Sequence, residues 1–201
     1  FISYSQEPEK PLAPAFHHAL RRLGAKRYFL KFRSLEVFRD ETDSSGIIGL
    51  KEKIENGLRE SEYLILLASP PIAREPKESD INWIEEEIRF WLQHKQGSSA
   101  KDQAENSLKI VICIAEGEIK WDYNLNDFDW ETTSCLPKIL SKKFSSTPLW
   151  VDFRETKQKA KTNPNIFSLE FPDFKQKVAE VSSQIQSITV DELISKDRQV
   201  K

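Results

Sequence analysis

Two uninterrupted apolar runs, at residues 63–68 and 108–115, constrain the fold of this chain more than any other feature. A strand that is apolar at every position is expected to be covered on both faces, as are the central strands of a parallel sheet. An amphipathic segment with helical spacing separates the two runs, and a crossover helix of that kind allows two strands to pair in parallel. The pattern therefore predicts an α/β protein.

The remaining periodic segments extend this pattern along the chain. Further strands are predicted at 1–5, 35–38 and 148–152, and helices at 11–23, 48–58, 79–92 and 167–188. The alternation predicts a flavodoxin-like, doubly wound, five-stranded parallel sheet with helices on both faces. Ser79 or Asp80 is predicted to cap the third helix. Residues 116–144 are predicted to form an irregular loop whose aromatic residues pack onto the domain, and residues 157–165 are polar.

The composition excludes several classes of partner. Hydrophobic residues make up 38% of the chain, charged residues 31%, and a net charge of −2 favours neither nucleic acid nor an anionic membrane. No apolar run is long enough to span a bilayer. Two cysteines, Cys113 and Cys135, are typical of a reduced, cytoplasmic protein. Because the chain lacks Met and begins inside a predicted strand, we expect a domain cut from a longer protein.

Several common catalytic motifs are absent from the sequence. It contains no P-loop, no dinucleotide fingerprint and no hydrolase nucleophile elbow. Its three histidines and two cysteines have no metal-ligand spacing, so no metal is implied. A phosphoacceptor receiver domain would need acidic residues at the ends of its early strands. Ser5 and Ser69 occupy the corresponding positions, which disfavours that interpretation.

One predicted helix carries a carboxylate on its apolar side. At about 100° per residue, Glu85 and Glu86 fall outside the apolar face, whereas Glu87 falls inside it, one turn from Trp83 and Trp91. A carboxylate among aromatic rings is costly unless it is paired, neutralised or used in chemistry. Glu87 therefore either borders the core and reaches solvent or a basic partner, or it belongs to a functional site.

Four short motifs follow one another along the chain. They are a first strand Phe1-Ile2-Ser3-Tyr4-Ser5, a strand and polar loop at 37–46, a strand ending in Ser-Pro at 66–70, and Trp83-x-x-x-Glu87-Ile88 on a helix. Together they resemble the first strand, the second strand with its BB loop, the third strand and the third helix of Toll/interleukin-1 receptor (TIR) domains. The resemblance covers residues 1–185, which leaves 186–201 as a connector to a missing downstream region.

Other segments refine the resemblance. Residues 127–130, 148–152 and 191–194 are similar to bacterial TIR proteins that continue into NTPase or WD-repeat regions. The loop at 72–81 departs from the family, because it is longer and more charged than is usual before the tryptophan. Because of that departure, the resemblance does not predict how the site is covered.

The resemblance implies an enzymatic activity and a catalytic residue. Many bacterial TIR domains cleave NAD+ between nicotinamide and ribose, giving ADP-ribose or a cyclised ADP-ribose, and serve as effectors of defence or signalling. In the catalytic members the glutamate that matches Glu87 is the key residue. Trp83 would form part of the wall around it. NAD+ would be a substrate, and no cofactor is implied. The alternative is a non-catalytic TIR module that mediates assembly with other TIR domains.

The same resemblance assigns the other site residues. Tyr4 and Ser5 would contact the nicotinamide side of the substrate. Asp40 and Ser44 would border the pocket, although Asp40 equally well fits a role in holding its loop. The BB loop at 39–46 and neighbouring helices would mediate self-association with other TIR domains, on which activity would depend.

Overall fold

The computed structural model describes residues 1–5, 9–23, 47–73, 82–95 and 108–198. In chain order its elements are β1 (Ile2–Tyr4), α1 (Leu12–Leu23), α2 (Ile47–Glu60), β2 (Leu64–Ala68), α3 (Pro70–Ala73), α4 (Trp83–Lys95), β3 (Ile110–Ile114), β4 (Trp121–Asp122), β5 (Asp127–Phe128), β6 (Trp150–Asp152), α5 (Arg154–Ala160), α6 (Pro172–Gln186) and α7 (Val190–Arg198). Two 3-10 turns cover Lys138–Leu140 and Pro164–Ile166.

Within these residues, four parallel strands form one sheet in the order β1-β2-β3-β6. The two apolar runs are its inner strands β2 and β3, which pair over their whole length. This confirms the predicted α/β architecture with a parallel sheet flanked by helices. The strand predicted at 35–38 lies outside the described residues, so the fifth strand stays a prediction.

A hydrophobic core lies on each face of the sheet, because successive strand residues point to opposite faces. Helices α2 and α4 cover one face, where the buried residues include Ile54, Leu58, Leu64, Leu66, Ile84, Ile88, Trp91 and Ile112. Helices α1 and α6 cover the other, where they include Ile2, Leu12, Phe16, Ile65, Leu67, Val111, Phe174 and Val178. The two inner strands are apolar throughout because both of their faces are buried.

The start of α4 differs from the prediction. The helix begins at Trp83, and the side-chain oxygen of Asn82 accepts a hydrogen bond from the Glu85 backbone N–H at 3.2 Å. Asn82 is therefore the cap, since its amide oxygen satisfies a donor that the first turn leaves open. The prediction of Ser79 or Asp80 was wrong, and both residues lie outside the described part of the chain.

The segment 116–144 is more regular than predicted. Strands β4 and β5 pair as a small antiparallel hairpin, and Phe128 makes edge-to-face contacts with the rings of Trp121, Trp130 and Phe144. The packing of these aromatic residues onto the α2 and α4 side of the domain is as expected. The expectation was wrong for Tyr123, which is 80% exposed. The irregular assignment was wrong for the hairpin, whose strands are two residues each and too short to show alternation.

Three helices were not predicted. Helix α3 is a single four-residue turn that follows β2. Helix α5 falls partly in the polar stretch 157–165, and α7 falls in the presumed connector, where Leu193 packs with Ala179 and Ile188. The division at residue 185 stays a prediction. In the described part of the chain, no helix combines the length and apolar character that crossing a membrane requires.

Candidate functional site

Glu87 lies on the core side of α4, with 2% of its surface exposed. Its neighbours in sequence face the other way. The guanidinium of Arg89 contacts Glu85 at 2.9 Å and Glu86 at 3.3 Å, on the exposed side of the helix. The sequence prediction that helical geometry separates Glu87 from the two adjacent glutamates is confirmed.

Apolar residues flank Glu87 on α4. Ile84, Ile88 and Trp91 on the same helix are buried, and Trp83 is partly buried and packs against the same core. A carboxylate in such surroundings has lost most of its hydration, which is unfavourable for a charge unless hydrogen bonds replace the water. Glu87 therefore needs polar contacts from the elements packed against α4.

Ser3 provides one such contact from the sheet. It is fully buried in β1, and its hydroxyl donates a hydrogen bond to Oε2 of Glu87. The two residues are 84 positions apart in sequence. Sequence reasoning missed Ser3, although strand alternation places it on the same face as Phe1, which packs in the core beneath α4.

The predicted residues of the first strand separate in the structure. The ring of Tyr4 is 8% exposed and packs with Leu12 and Phe16 in the core on the opposite face of the sheet from Glu87. Ser5 follows β1 directly and is half-buried, and its carbonyl accepts the Glu9 backbone N–H at 3.3 Å. The structure therefore does not bring the Tyr4 ring together with Glu87.

The other predicted residues are placed only in part. Trp83 is the first residue of α4, one helical turn before Glu87, and is partly buried. Asp40 and Ser44 lie outside the described residues, as does the whole loop at 39–46. Ser3, Trp83 and Glu87 are thus the described residues on the α4 face from which a site can be built.

A second group of polar residues gathers where the parallel strands end. Glu9 is fully buried beyond β1, and one of its carboxylate oxygens contacts Nζ of Lys157 at 2.7 Å. The same Nζ lies 3.3 Å from Glu116, which follows β3. Burial raises the pKa of Glu9, and the hydrogen bond and charge of Lys157 offset only part of that rise. The carboxyl edge of a parallel sheet is the usual position of ligands in open α/β folds.

The described residues include no group of three or more His, Cys, Asp or Glu side chains that could hold a metal ion. Cys113 and Cys135 are both free thiols and both buried, and burial raises the pKa of Cys135 to about 12. Neither thiol is poised for nucleophilic chemistry, because the reactive form is the thiolate. The carboxylate of Glu87, rather than either thiol, is therefore the candidate catalytic group.

Nearly the full length of the chain is similar to part of a larger protein. The chain is 30% identical over 197 residues to the NAD(+) hydrolase ApTIR of an Actinoplanes species. The alignment covers 98% of this chain and 24% of that protein, so the chain spans about a quarter of its relative's length. No protein-family model matches the chain, and no solved structure matches it significantly.

Proposed function

The chain belongs to the TIR domain family, and on that premise we propose that it cleaves NAD+ at the bond between nicotinamide and ribose. The observation that carries the proposal is the similarity, over 98% of the chain, to a protein named as an NAD(+) hydrolase. The described fold and the buried glutamate on α4 support it. Because the chain corresponds to only part of that relative, its own activity is a proposal to be tested.

Glu87 is the proposed catalytic residue. The bond between ribose C1′ and the nicotinamide nitrogen breaks, and its electron pair leaves with nicotinamide, which becomes neutral. Positive charge then develops on the ribose as an oxocarbenium-like transition state, which a nearby carboxylate stabilises. The apolar surroundings of Glu87 strengthen that attraction, because they lower the effective dielectric constant. Water that attacks C1′ and loses a proton to solvent gives ADP-ribose, and an intramolecular attack gives a cyclised product.

Substrate contacts are proposed on both sides of this carboxylate. Trp83 supplies part of the apolar wall one turn away on α4. Ser5, at the carboxyl end of β1, is proposed to contact the nicotinamide side of the substrate. Tyr4 is proposed to contact the same side through its main chain, because its ring is buried on the other face of the sheet. Asp40 and Ser44 are proposed to border the pocket from their loop. NAD+ acts here as substrate, without a cofactor.

Activity is proposed to depend on self-association through the loop at 39–46 and neighbouring helices. The proposed setting is the cytoplasm, as an effector of bacterial defence or signalling, in keeping with the two unpaired cysteines. The second candidate is a non-catalytic module that assembles with other TIR domains. The buried Glu87, which accepts a hydrogen bond from Ser3, favours the enzyme, because assembly alone does not require a carboxylate in an apolar layer.

Nicotinamide release from NAD+, followed over a range of protein concentrations, tests the proposal. We expect release to rise more than linearly with protein concentration. Glu87→Gln, which keeps the shape of the side chain but removes its charge, is expected to lower the rate by about 100-fold or more. Glu86→Gln is the matched control, because Glu86 is exposed on the same helical turn, where its side chain pairs with Arg89.

Three results would contradict separate parts of the proposal. Absence of release from wild type that has demonstrably assembled would favour the interaction module. Equal release by wild type and Glu87→Gln would remove Glu87 from the mechanism. Full turnover per molecule at high dilution would show that self-association is not required.

A further inference from the structure

We propose that Ser3 is a positioning residue that holds the carboxylate of Glu87 in a charged and correctly oriented form. The inference rests on the proposed function for its catalytic consequence. It names a residue of the first strand that acts through Glu87 rather than on the substrate.

The contact joins two buried side chains on different elements. Ser3 has none of its surface exposed and Glu87 has 2%, and the Ser3 hydroxyl donates to Oε2 of Glu87. A hydrogen bond to an ionised acceptor is shorter and stronger than one between neutral groups. In an apolar layer the bond also replaces part of the hydration that the carboxylate has lost.

The sheet gives this donor a fixed position. Ser3 is the middle residue of β1 and is aligned with Leu66 of β2, which is itself paired with Ile112 of β3. Its side chain therefore has only one heavy-atom torsion on a backbone that the sheet holds in place. Glu87, in contrast, has three side-chain torsions and depends on contacts for its orientation. The strand thus acts as the rigid partner and the helix carries the group that needs to be held.

The neutrality of serine is important to the role. A lysine at this position would balance the charge of Glu87 and weaken its attraction for a developing cation. A hydroxyl favours the ionised carboxylate while leaving its net negative charge in place. The Ser3 contact itself therefore takes nothing from the electrostatic effect that cleavage of a cationic nicotinamide requires.

Three substitutions at one site separate hydrogen bonding from packing. Ser3→Ala removes the hydroxyl, Ser3→Cys keeps a similar shape with a weaker donor, and Ser3→Thr keeps the hydroxyl. We expect kcat to fall roughly ten- to hundredfold in the Ala variant. The Cys variant should lose much of kcat as well, while the Thr variant should retain it. KM should change little, because Ser3 is proposed to act on Glu87 and not on NAD+.

The pH dependence provides a readout that a purely structural role would not change. Without the donated hydrogen bond the charged carboxylate is less favoured, so the acid limb of the kcat profile should move to higher pH in Ser3→Ala but not in Ser3→Thr. Thermal unfolding of each variant establishes that it is folded at the assay temperature. A folded Ala variant with the kcat and pH profile of wild type would overturn the inference.

A measurement that needs no turnover keeps this test separate from the proposed function. Carboxyl 13C NMR, assigned by comparison with Glu87→Gln, follows the titration of Glu87 directly. The titration midpoint should move to higher pH in Ser3→Ala relative to wild type. Wild type that releases no nicotinamide would contradict the proposed function alone, whereas identical midpoints in wild type and Ser3→Ala would contradict the role of Ser3.

Discussion

Glu87 and Glu9 are both buried glutamates, but the hydrogen-bond donors described for them differ in charge. Glu87 accepts a hydrogen bond from the neutral hydroxyl of Ser3, on the α4 face of the sheet. Glu9 contacts the cationic Nζ of Lys157 at 2.7 Å, where the strands end. Burial alone therefore does not identify a functional carboxylate. A lysine neutralises the carboxylate that it contacts, whereas a serine hydroxyl adds no charge to the group that it contacts.

The two contacts also have different structural consequences. Lys157, on α5, links Glu9 beyond β1 to Glu116 beyond β3, so the lysine ties together segments that are far apart in sequence. Ser3 and Glu87 join one strand to one helix. We therefore expect changes in the Glu9 group to act mainly on stability, and changes at Glu87 to act mainly on catalysis.

The largest stability effect is expected for Lys157→Met, which leaves Glu9 buried without its cation. Removing one partner of a buried pair typically costs 3–5 kcal/mol, and because 19% of the Lys157 side chain is exposed we expect about 3 kcal/mol. Chemical denaturation measures this loss. The double variant Glu9→Gln with Lys157→Met should recover part of it, because it no longer buries an unpaired charge.

The pH dependence of this loss has a definite sign. Because burial raises the pKa of Glu9, its contribution to stability is fully present below the unfolded pKa and is lost as the pH rises through the folded pKa. The cost of Lys157→Met should accordingly be greatest at neutral pH and shrink on acidification, as Glu9 becomes protonated. A stability cost of Lys157→Met that does not change with pH would contradict this account of Glu9. Loss of nicotinamide release without loss of stability would contradict the structural role assigned to the pair.

Glu87 and Glu9 also differ in how far the sequence predicts them. The position of Glu87 follows from the helical period within a few residues, and it was predicted. Its contact with Ser3 spans 84 residues and that of Glu9 with Lys157 spans 148, so both depend on the tertiary fold. Helix α5 was not predicted because it has no apolar face that would reveal the helical period. Its one buried residue is Thr156.

Asp127 is a third buried carboxylate, and the partners described for it are neutral. It accepts hydrogen bonds from Ser141 at 2.7 Å, from the indole of Trp130 at 2.9 Å and from the backbone N–H of Lys142 at 3.1 Å. Burial by itself raises the pKa of Asp127, but these hydrogen bonds outweigh it and hold the pKa below its usual value. All of these partners lie in the segment around the β4–β5 hairpin.

Asp127→Asn is therefore expected to destabilise the domain by about 2 kcal/mol at neutral pH, since its amide group cannot accept all of these bonds. Because its pKa is lowered in the folded state, Asp127 contributes stability that is present above the unfolded pKa. That contribution is lost as the pH falls through the folded pKa. The difference between Asp127→Asn and wild type should thus shrink in acid, as measured by unfolding at several pH values. Nicotinamide release should persist in the folded variant. Loss of nicotinamide release in a folded Asp127→Asn variant would show that this carboxylate in the hairpin also contributes to activity.

The smallest effect is expected at the N-terminal cap of α4. Asn82→Ala removes the acceptor for the Glu85 N–H, and the loss of such a cap costs about 1 kcal/mol. Asn82→Asp is the matched control, because aspartate caps equally well and its charge suits the positive end of the helix dipole. Denaturation midpoints distinguish the two variants, and an Ala variant as stable as wild type would exclude the capping role. Because Glu87 is held by its own burial and by Ser3, fraying of the first turn should leave the orientation of its carboxylate largely intact.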